Sequence, residues 1–211
     1  SPIPPAPNLN VKAYVLMDFD SGMILASTNK DLTLPPASIT KMMTAYLAFT
    51  ELNENNISLS EDVLVSKKAW KTGGSKMFIE VGKKIKFKEI LQGVITVSGN
   101  DASVALAEHI SGDENTFAIY MNQMAKNIGL ANTNYTNATG LPNDSLYTTA
   151  EDIALLSRSL ISNFPELYKL YSTKSFKFND IKQYSRNKLL FIDDNVDGIK
   201  TGFTNAAGYC L

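Results

Sequence analysis

The spacing of apolar positions changes twice along the chain and divides it into three stretches. From Val11 to Met17 apolar residues first alternate with polar ones and then occupy both faces, as in a strand. Asp18-Phe19-Asp20-Ser21-Gly22 is a turn, and Met23-Ile24-Leu25-Ala26 returns from it, which predicts a β-hairpin. A loop over 27–37 ends in Pro35-Pro36-Ala37, and both prolines disfavour helix in the residues before them. The run Met42 to Phe49 holds no breaker, so a helix is predicted from near Ser38 to about Leu52, stopped by Asn53-Glu54-Asn55-Asn56. Residues 57–87 carry short β-like pieces, Val63-Leu64-Val65 and Met77-Phe78-Ile79, between turns at Gly73-Gly74 and Gly82.

Helical spacing then takes over. Ile90, Leu91, Val94 and Ile95 share one face of Lys88–Val97. Ser98-Gly99-Asn100 interrupts, and Asp101 to Ile110 resumes the pattern. Asp113 to Ile128 is amphipathic and closed by Gly129; residues 131–147 form a long ordered loop rich in Asn, Thr, Gly and Pro. Thr148-Thr149-Ala150-Glu151 reads as a capping box starting a helix through Ile161, and Pro165 starts a short one. From Ser175 the pattern turns β-like: Phe176 and Phe178, Leu189-Leu190-Phe191, Gly198-Ile199-Lys200-Thr201, and Gly208 to Leu211. The expectation is an α/β (α+β) fold, one antiparallel sheet from both chain ends (8–36 with 175–211) packed against a helical middle (37–174).

Composition narrows the function classes. The 211 residues suffice for one large domain. The net charge of −1, with signs interspersed, gives no basic stripe for nucleic acid. No apolar run approaches the ~20 residues that cross a membrane. No signal peptide is read, and Ser1 to Pro7 looks like an extended tail. One cysteine and one histidine leave no internal disulfide and no multi-cysteine or His-rich metal site, so neither metal nor cofactor is expected.

Three short motifs carry candidate chemistry. In Ser38-Ile39-Thr40-Lys41 the i, i+3 spacing puts a hydroxyl and an amine on one helix face. Serine needs a base to become a nucleophile, and lysine can be that base where desolvation or nearby cations lower its pKa. Ser98-Gly99-Asn100 can aim two polar side chains to one side of a bend. Lys200-Thr201-Gly202 offers a cation, a hydroxyl and an approachable backbone, which suits a carboxylate. Each alone is common; together and in this order they form the trio of the serine β-lactamases and penicillin-binding proteins.

With their flanks, Pro35-Pro36-Ala37-Ser38, Ser98-Gly99-Asn100-Asp101-Ala102, Asn137-Ala138-Thr139-Gly140-Leu141-Pro142 and Val196 to Tyr209, the motifs resemble low-molecular-mass penicillin-binding proteins of the D-alanyl-D-alanine carboxypeptidase type, from about Val11 to Leu211. The resemblance implies one catalytic domain in which Ser38 attacks the carbonyl between the last two D-alanines of a peptidoglycan stem peptide. Lys41 accepts its proton, Ser98 relays a proton to the departing amine, and Asn100 bonds the substrate amide and holds Lys41. Lys200 and Thr201 bind the terminal carboxylate with help from Arg186, and Lys200 also depresses the Lys41 pKa. Water then hydrolyses the acyl-enzyme. The oxyanion hole is formed by the N–H groups of Ser38 and Phe203, beside Gly202; many relatives carry histidine at 203, so Phe203 changes the cleft rim and not the mechanism. Expected partners are stem peptides ending in D-Ala-D-Ala and β-lactam antibiotics. The implied location is exported, periplasmic or on the outer face of the bacterial cytoplasmic membrane, with peripheral attachment through a C-terminal segment that this sequence does not contain.

The resemblance further implies two strands between the Lys200 strand and the N-terminal hairpin, and a C-terminal helix. With Leu211 last, the expectation is a truncated or partly ordered longer protein, or a sheet completed by another chain. Two other functions are consistent with the trio. A serine β-lactamase would deacylate fast, but no Glu-x-x-Leu-Asn loop follows Ser98. A silent peptidoglycan-binding module would not need Ser38, Lys41, Ser98, Asn100, Lys200 and Thr201 intact. His109 reads as scaffold and not as part of a triad, Cys210 as a buried small residue, Met42, Met43, Met121 and Met124 as core, and Asp193, Asp194 and Asp197 as a solvated acidic turn.

Overall fold

The computed structural model describes residues 5–211. The tail expected over 1–7 therefore lies in part outside the described residues. Its centre is helix α1 (Lys41–Asn53), which follows a 3₁₀ turn at Ala37–Thr40 and runs one residue past the expected end. Every residue of α1 from Lys41 to Phe49 is buried. A helix apolar on all sides belongs in the interior, and α1 is packed by α3 (Phe87–Thr96), α4 (Asn100–Ser111), α5 (Glu114–Ile128) and α6 (Ala150–Asn163). The shorter helices α2 (Lys67–Lys71) and α7 (Pro165–Tyr168) lie at its rim.

Helix ends follow their sequence signals. The Asp113 carboxylate accepts from Asn115 N and Thr116 N at the start of α5, and Gly129 closes it at φ +90°. At α6 the cap is Thr149, whose hydroxyl accepts from Asp152 N, one residue later than the Thr148–Glu151 pattern predicted. Thr148 is committed elsewhere: its backbone pairs with Leu34 in a β-bridge, and Glu151 takes an ion pair with Lys30 at 2.6 Å.

Strands β1 (Tyr14–Met17) and β2 (Ile24–Thr28) form the predicted N-terminal hairpin. β3 (Asp62–Leu64) pairs with β4 (Lys84–Lys86), β5 (Ser175–Phe178) with β6 (Ile181–Tyr184), and β7 (Gly202–Thr204) with β8 (Gly208–Cys210), all antiparallel. Three expectations are corrected here. Met77-Phe78-Ile79 is irregular and not a strand, because its N–H groups are taken by a side chain. Residues 188–191 are a 3₁₀ turn capped by Asn187, whose side chain accepts from Leu189 N. Residues 198–201 are irregular, and the strand begins only at Gly202.

The α+β class stands, but the two chain ends do not share a sheet. β1–β2 and β7–β8 are each two-stranded, since no described strand lies between them to bridge their edges. Both hairpins carry large exposed apolar side chains, among them Leu16, Met23, Leu25 and Tyr209.

Phe49, fully buried near the end of α1, meets Phe164 and Tyr171 edge-on at ring-centroid distances of 5.7 and 6.5 Å. These contacts join the central helix to the segment leading into the C-terminal strands. Phe49→Ala is expected to lower unfolding free energy by about 3–5 kcal/mol, read as a lower urea midpoint at unchanged slope; a loss under about 1 kcal/mol would show that the site collapses and the contact does not brace the core.

Candidate active site

Three segments far apart in sequence converge at the start of α1. Ser38 sits half-buried in the 3₁₀ turn, and Lys41, 1% exposed, is the first residue of the helix. The Lys41 amine Nζ lies 3.1 Å from Ser38 Oγ, 2.7 Å from Asn100 Oδ1 and 2.6 Å from the Thr139 carbonyl oxygen. The chemistry of those three partners fixes what a neutral Lys41 must do. An ammonium has three donors and no acceptor; a neutral amine has two donors and one lone pair. Asn100 Oδ1 and the Thr139 carbonyl can only accept, so they take the two N–H bonds. The lone pair is then left facing Ser38, the one partner that can donate a proton.

The electrostatics favour that neutral form. Lys41 is held well below the ordinary lysine value, first by burial, then by the positive charges of Lys200 and Arg186; Asp101 pulls the other way. The sequence expectation assigned this to Lys200; burial is the larger cause. Lys200, 5% exposed, is itself pulled down to about 7, by burial and then by Arg186, with Cys210 opposing. Its amine donates to the Thr201 carbonyl at 2.8 Å. Arg186 is exposed, and its positive charge bears on both lysines.

The other predicted residues fall around this centre. Ser98 lies in the bend between α3 and α4 at φ +60°, a conformation uncommon outside glycine, and its buried hydroxyl has no partner among the described residues. A buried hydroxyl unpaired within its own chain takes its bond from water or a bound molecule. Gly99 has φ −61°, so its role is close approach and not turn freedom: a Cβ there would sit 2.9 Å from the Asp101 carboxylate. Gly202 is similar, since a Cβ would stand 3.0 Å from Ser38 N. This brings β7 edge-on to the backbone of Ser38. Thr201 is half-buried. Phe203 is 53% exposed, its ring 4.6 Å from that of Tyr209 across the hairpin.

Sequence reasoning gave no role to Thr139, Asn137 and Asn187. Thr139 acts through its carbonyl, which no side-chain pattern reveals. Asn137 Oδ1 accepts from Thr139 N, Thr139 Oγ1 and Gly140 N, folding the loop so that this carbonyl turns toward Lys41. Buried Asn187 donates to the Gly198 carbonyl at 3.0 Å and so ties the Arg186 turn to the segment before Lys200. His109 bonds Glu61 at 2.7 Å, away from these groups, as scaffold. Cys210 is only half-buried, its Sγ 3.5 Å from the Pro36 carbonyl. Among the acidic turn residues, Asp197 accepts from the Tyr168 hydroxyl at 2.9 Å.

A family model described as D-alanyl-D-alanine carboxypeptidase matches residues 2–211. The chain belongs to the D-alanyl-D-alanine carboxypeptidase family. Within it, a D-alanyl-D-alanine carboxypeptidase of Haemophilus influenzae is 44% identical over 97% of this chain and 53% of its own length. The chain thus spans about half the length of the curated carboxypeptidases it matches. Its fold is similar to the crystal structure of a D-alanyl-D-alanine carboxypeptidase from Francisella tularensis, with a TM-score of 0.95, 38% identity, and coverage of 99% of this chain and 63% of that one. It is also similar to penicillin-binding protein D2 of Listeria monocytogenes, solved in its ampicillin-bound form, with a TM-score of 0.84, 31% identity, and coverage of 97% and 84%.

Removing the Arg186 charge should make the protonated form of each lysine easier to keep. Arg186→Gln is therefore expected to raise both pKa values and to move the acylation pH profile to higher pH, by up to about 1 unit. Acylation rates measured against pH for both proteins check this; an unmoved profile, or one moved to lower pH, contradicts the field assigned to Arg186.

Proposed function

We propose that this chain carries the catalytic part of a serine D,D-carboxypeptidase that removes the terminal D-alanine from peptidoglycan stem pentapeptides. The observation that carries the reading is the buried Lys41 amine, bonded to two acceptor-only oxygens and to Ser38 Oγ. Neutral Lys41 takes the Ser38 proton as Oγ attacks the carbonyl carbon between the two D-alanines. The N–H groups of Ser38 and Phe203 hold the oxyanion, which the approach of Gly202 to Ser38 N supports. As the C–N bond breaks, the proton passes from Lys41 through Ser98 to the leaving amine. Lys200, Thr201 and Arg186 hold the terminal carboxylate, whose negative charge would restore the proton on Lys200. Asn100 bonds the substrate amide. Water then cleaves the ester, returning Ser38 and releasing the shortened peptide.

The same serine is the site of acylation by β-lactams, in keeping with the ampicillin-bound Listeria relative. The hairpins over 8–36 and 175–211 and the helices over 37–174 serve as one catalytic unit. The protein works where stem peptides lie, exported, in the periplasm or on the outer face of the cytoplasmic membrane. Among the described residues no helix is long and apolar enough to cross a membrane, and attachment would be peripheral.

Mass spectrometry after benzylpenicillin tests the reading. The expected result is one penicilloyl adduct on Ser38 that survives for hours. Sub-second release would make the protein a β-lactamase, and no adduct on a folded protein would make it a binding module.

A further inference from the structure

We propose that Asp101 is a positioning residue for this reaction: it clamps residues 77–79 onto the start of α4 and thereby fixes the carboxamide of Asn100 that holds Lys41. The inference rests on the carboxypeptidase reading. Asp101 is 1% exposed, and its carboxylate accepts four backbone N–H bonds. Oδ1 takes Met77 N at 3.0 Å and Ala102 N at 2.9 Å; Oδ2 takes Phe78 N at 3.0 Å and Ile79 N at 3.3 Å. Three successive N–H groups converge on one anion, the concave arrangement that backbone forms when a residue turns left-handed. Phe78 is that residue, at φ +69°, an unfavourable conformation for a bulky side chain that persists only where its surroundings hold it.

Asn100 leans on the stretch that runs directly into the clamped segment. Its backbone N donates to the Ser75 carbonyl at 2.7 Å, and its side-chain Nδ2 to the Gly73 carbonyl at 2.8 Å. That second bond sets the amide's direction: with Nδ2 on Gly73, Oδ1 faces the Lys41 amine. A flipped amide would oppose donor to donor at Lys41 and acceptor to acceptor at Gly73. The approach is tight, since a Cβ on Gly74 would stand 2.5 Å from Asn100 Nδ2. The other edge of the segment is held by the β5–β6 hairpin, through Gln183 to the Lys76 carbonyl and Asn179 to the Phe78 carbonyl. That hairpin leads directly into Arg186. One buried carboxylate therefore sets the geometry of the Ser98-Gly99-Asn100 turn and connects it to the carboxylate-binding side of the cleft.

Two variants separate the clamp from the charge, with the rate of Ser38 labelling by a fluorescent penicillin followed against pH and folding checked by melting. Asp101→Asn removes the charge and turns an NH2 group against two of the four N–H groups, so it loses the charge and half of the clamp. Its plateau rate is expected to fall at least about tenfold, as for a misplaced catalytic group, and its acid limb to move to lower pH because the charge that favours protonated Lys41 is gone. Asp101→Glu keeps the charge but sets the carboxylate one methylene away from the nest, so its plateau falls while its acid limb stays. In an Asn100→Ala background, Asp101→Asn should add less than about twofold, because the two act through one amide. A folded variant of either kind labelling within about twofold of the parent rate, or a full additional loss in the Asn100→Ala background, overturns the inference. If Asp101→Asn does not fold, Asp101→Glu decides. Failure of the parent protein to label at Ser38 would instead overturn the carboxypeptidase reading.

Discussion

A lysine amine buried against two carbonyl-type oxygens is the constraint on which the rest of this structure depends. An ammonium placed there would surrender its hydration inside the protein, a cost of several kcal/mol unless it is neutralised or paired. Among the described residues no carboxylate bonds it; its partners are Ser38, Asn100 and the Thr139 carbonyl. The protein resolves the cost by favouring the neutral amine, and the neutral amine needs a donor. Ser38 supplies it, so under the proposed function the feature that makes Lys41 expensive to bury is the one that would activate Ser38.

The fold can be read as what it takes to hold that arrangement. α1 is buried from Lys41 to Phe49, which fixes the spacing between Ser38 and Lys41. α4 brings Asn100 from one direction, and the loop folded by Asn137 brings the Thr139 carbonyl from another. β7 closes the third side, where Gly202 lies against Ser38 N. Two further basic groups, Lys200 and Arg186, act on the same site, and among the described residues neither forms an ion pair with a carboxylate. Their charges disfavour a proton on Lys41, and under the proposed function the same charges would attract a carboxylate ligand.

Much of this was legible in the sequence. The unbroken apolar run after Pro35-Pro36 located α1, and the three motifs located six of the polar groups that meet around it. What escaped falls into two physical classes. Backbone partners leave no side-chain signature, and so the carbonyls of Thr139 and Gly73 were invisible. Competition among hydrogen bonds was invisible too: Met77-Phe78-Ile79 has strand-like composition, yet Asp101 takes the N–H groups that a ladder would need. The terminal hairpins stand as separate pairs for a related reason. Alternating residues predict strands, but pairing is decided by which strand lies alongside, and the two terminal hairpins have none between them among the described residues.

The central claim is that Lys41 stands neutral beside Ser38 at working pH. The most direct test is the titration of its side-chain nitrogen by ¹⁵N NMR in protein labelled at lysine Nζ, assigned by comparison with Lys41→Arg. The account predicts a Lys41 resonance that loses its proton well below the 10.5 of an ordinary lysine. A Lys41 that stays protonated up to that range would contradict it, and with it the assignment of Lys41 as the base.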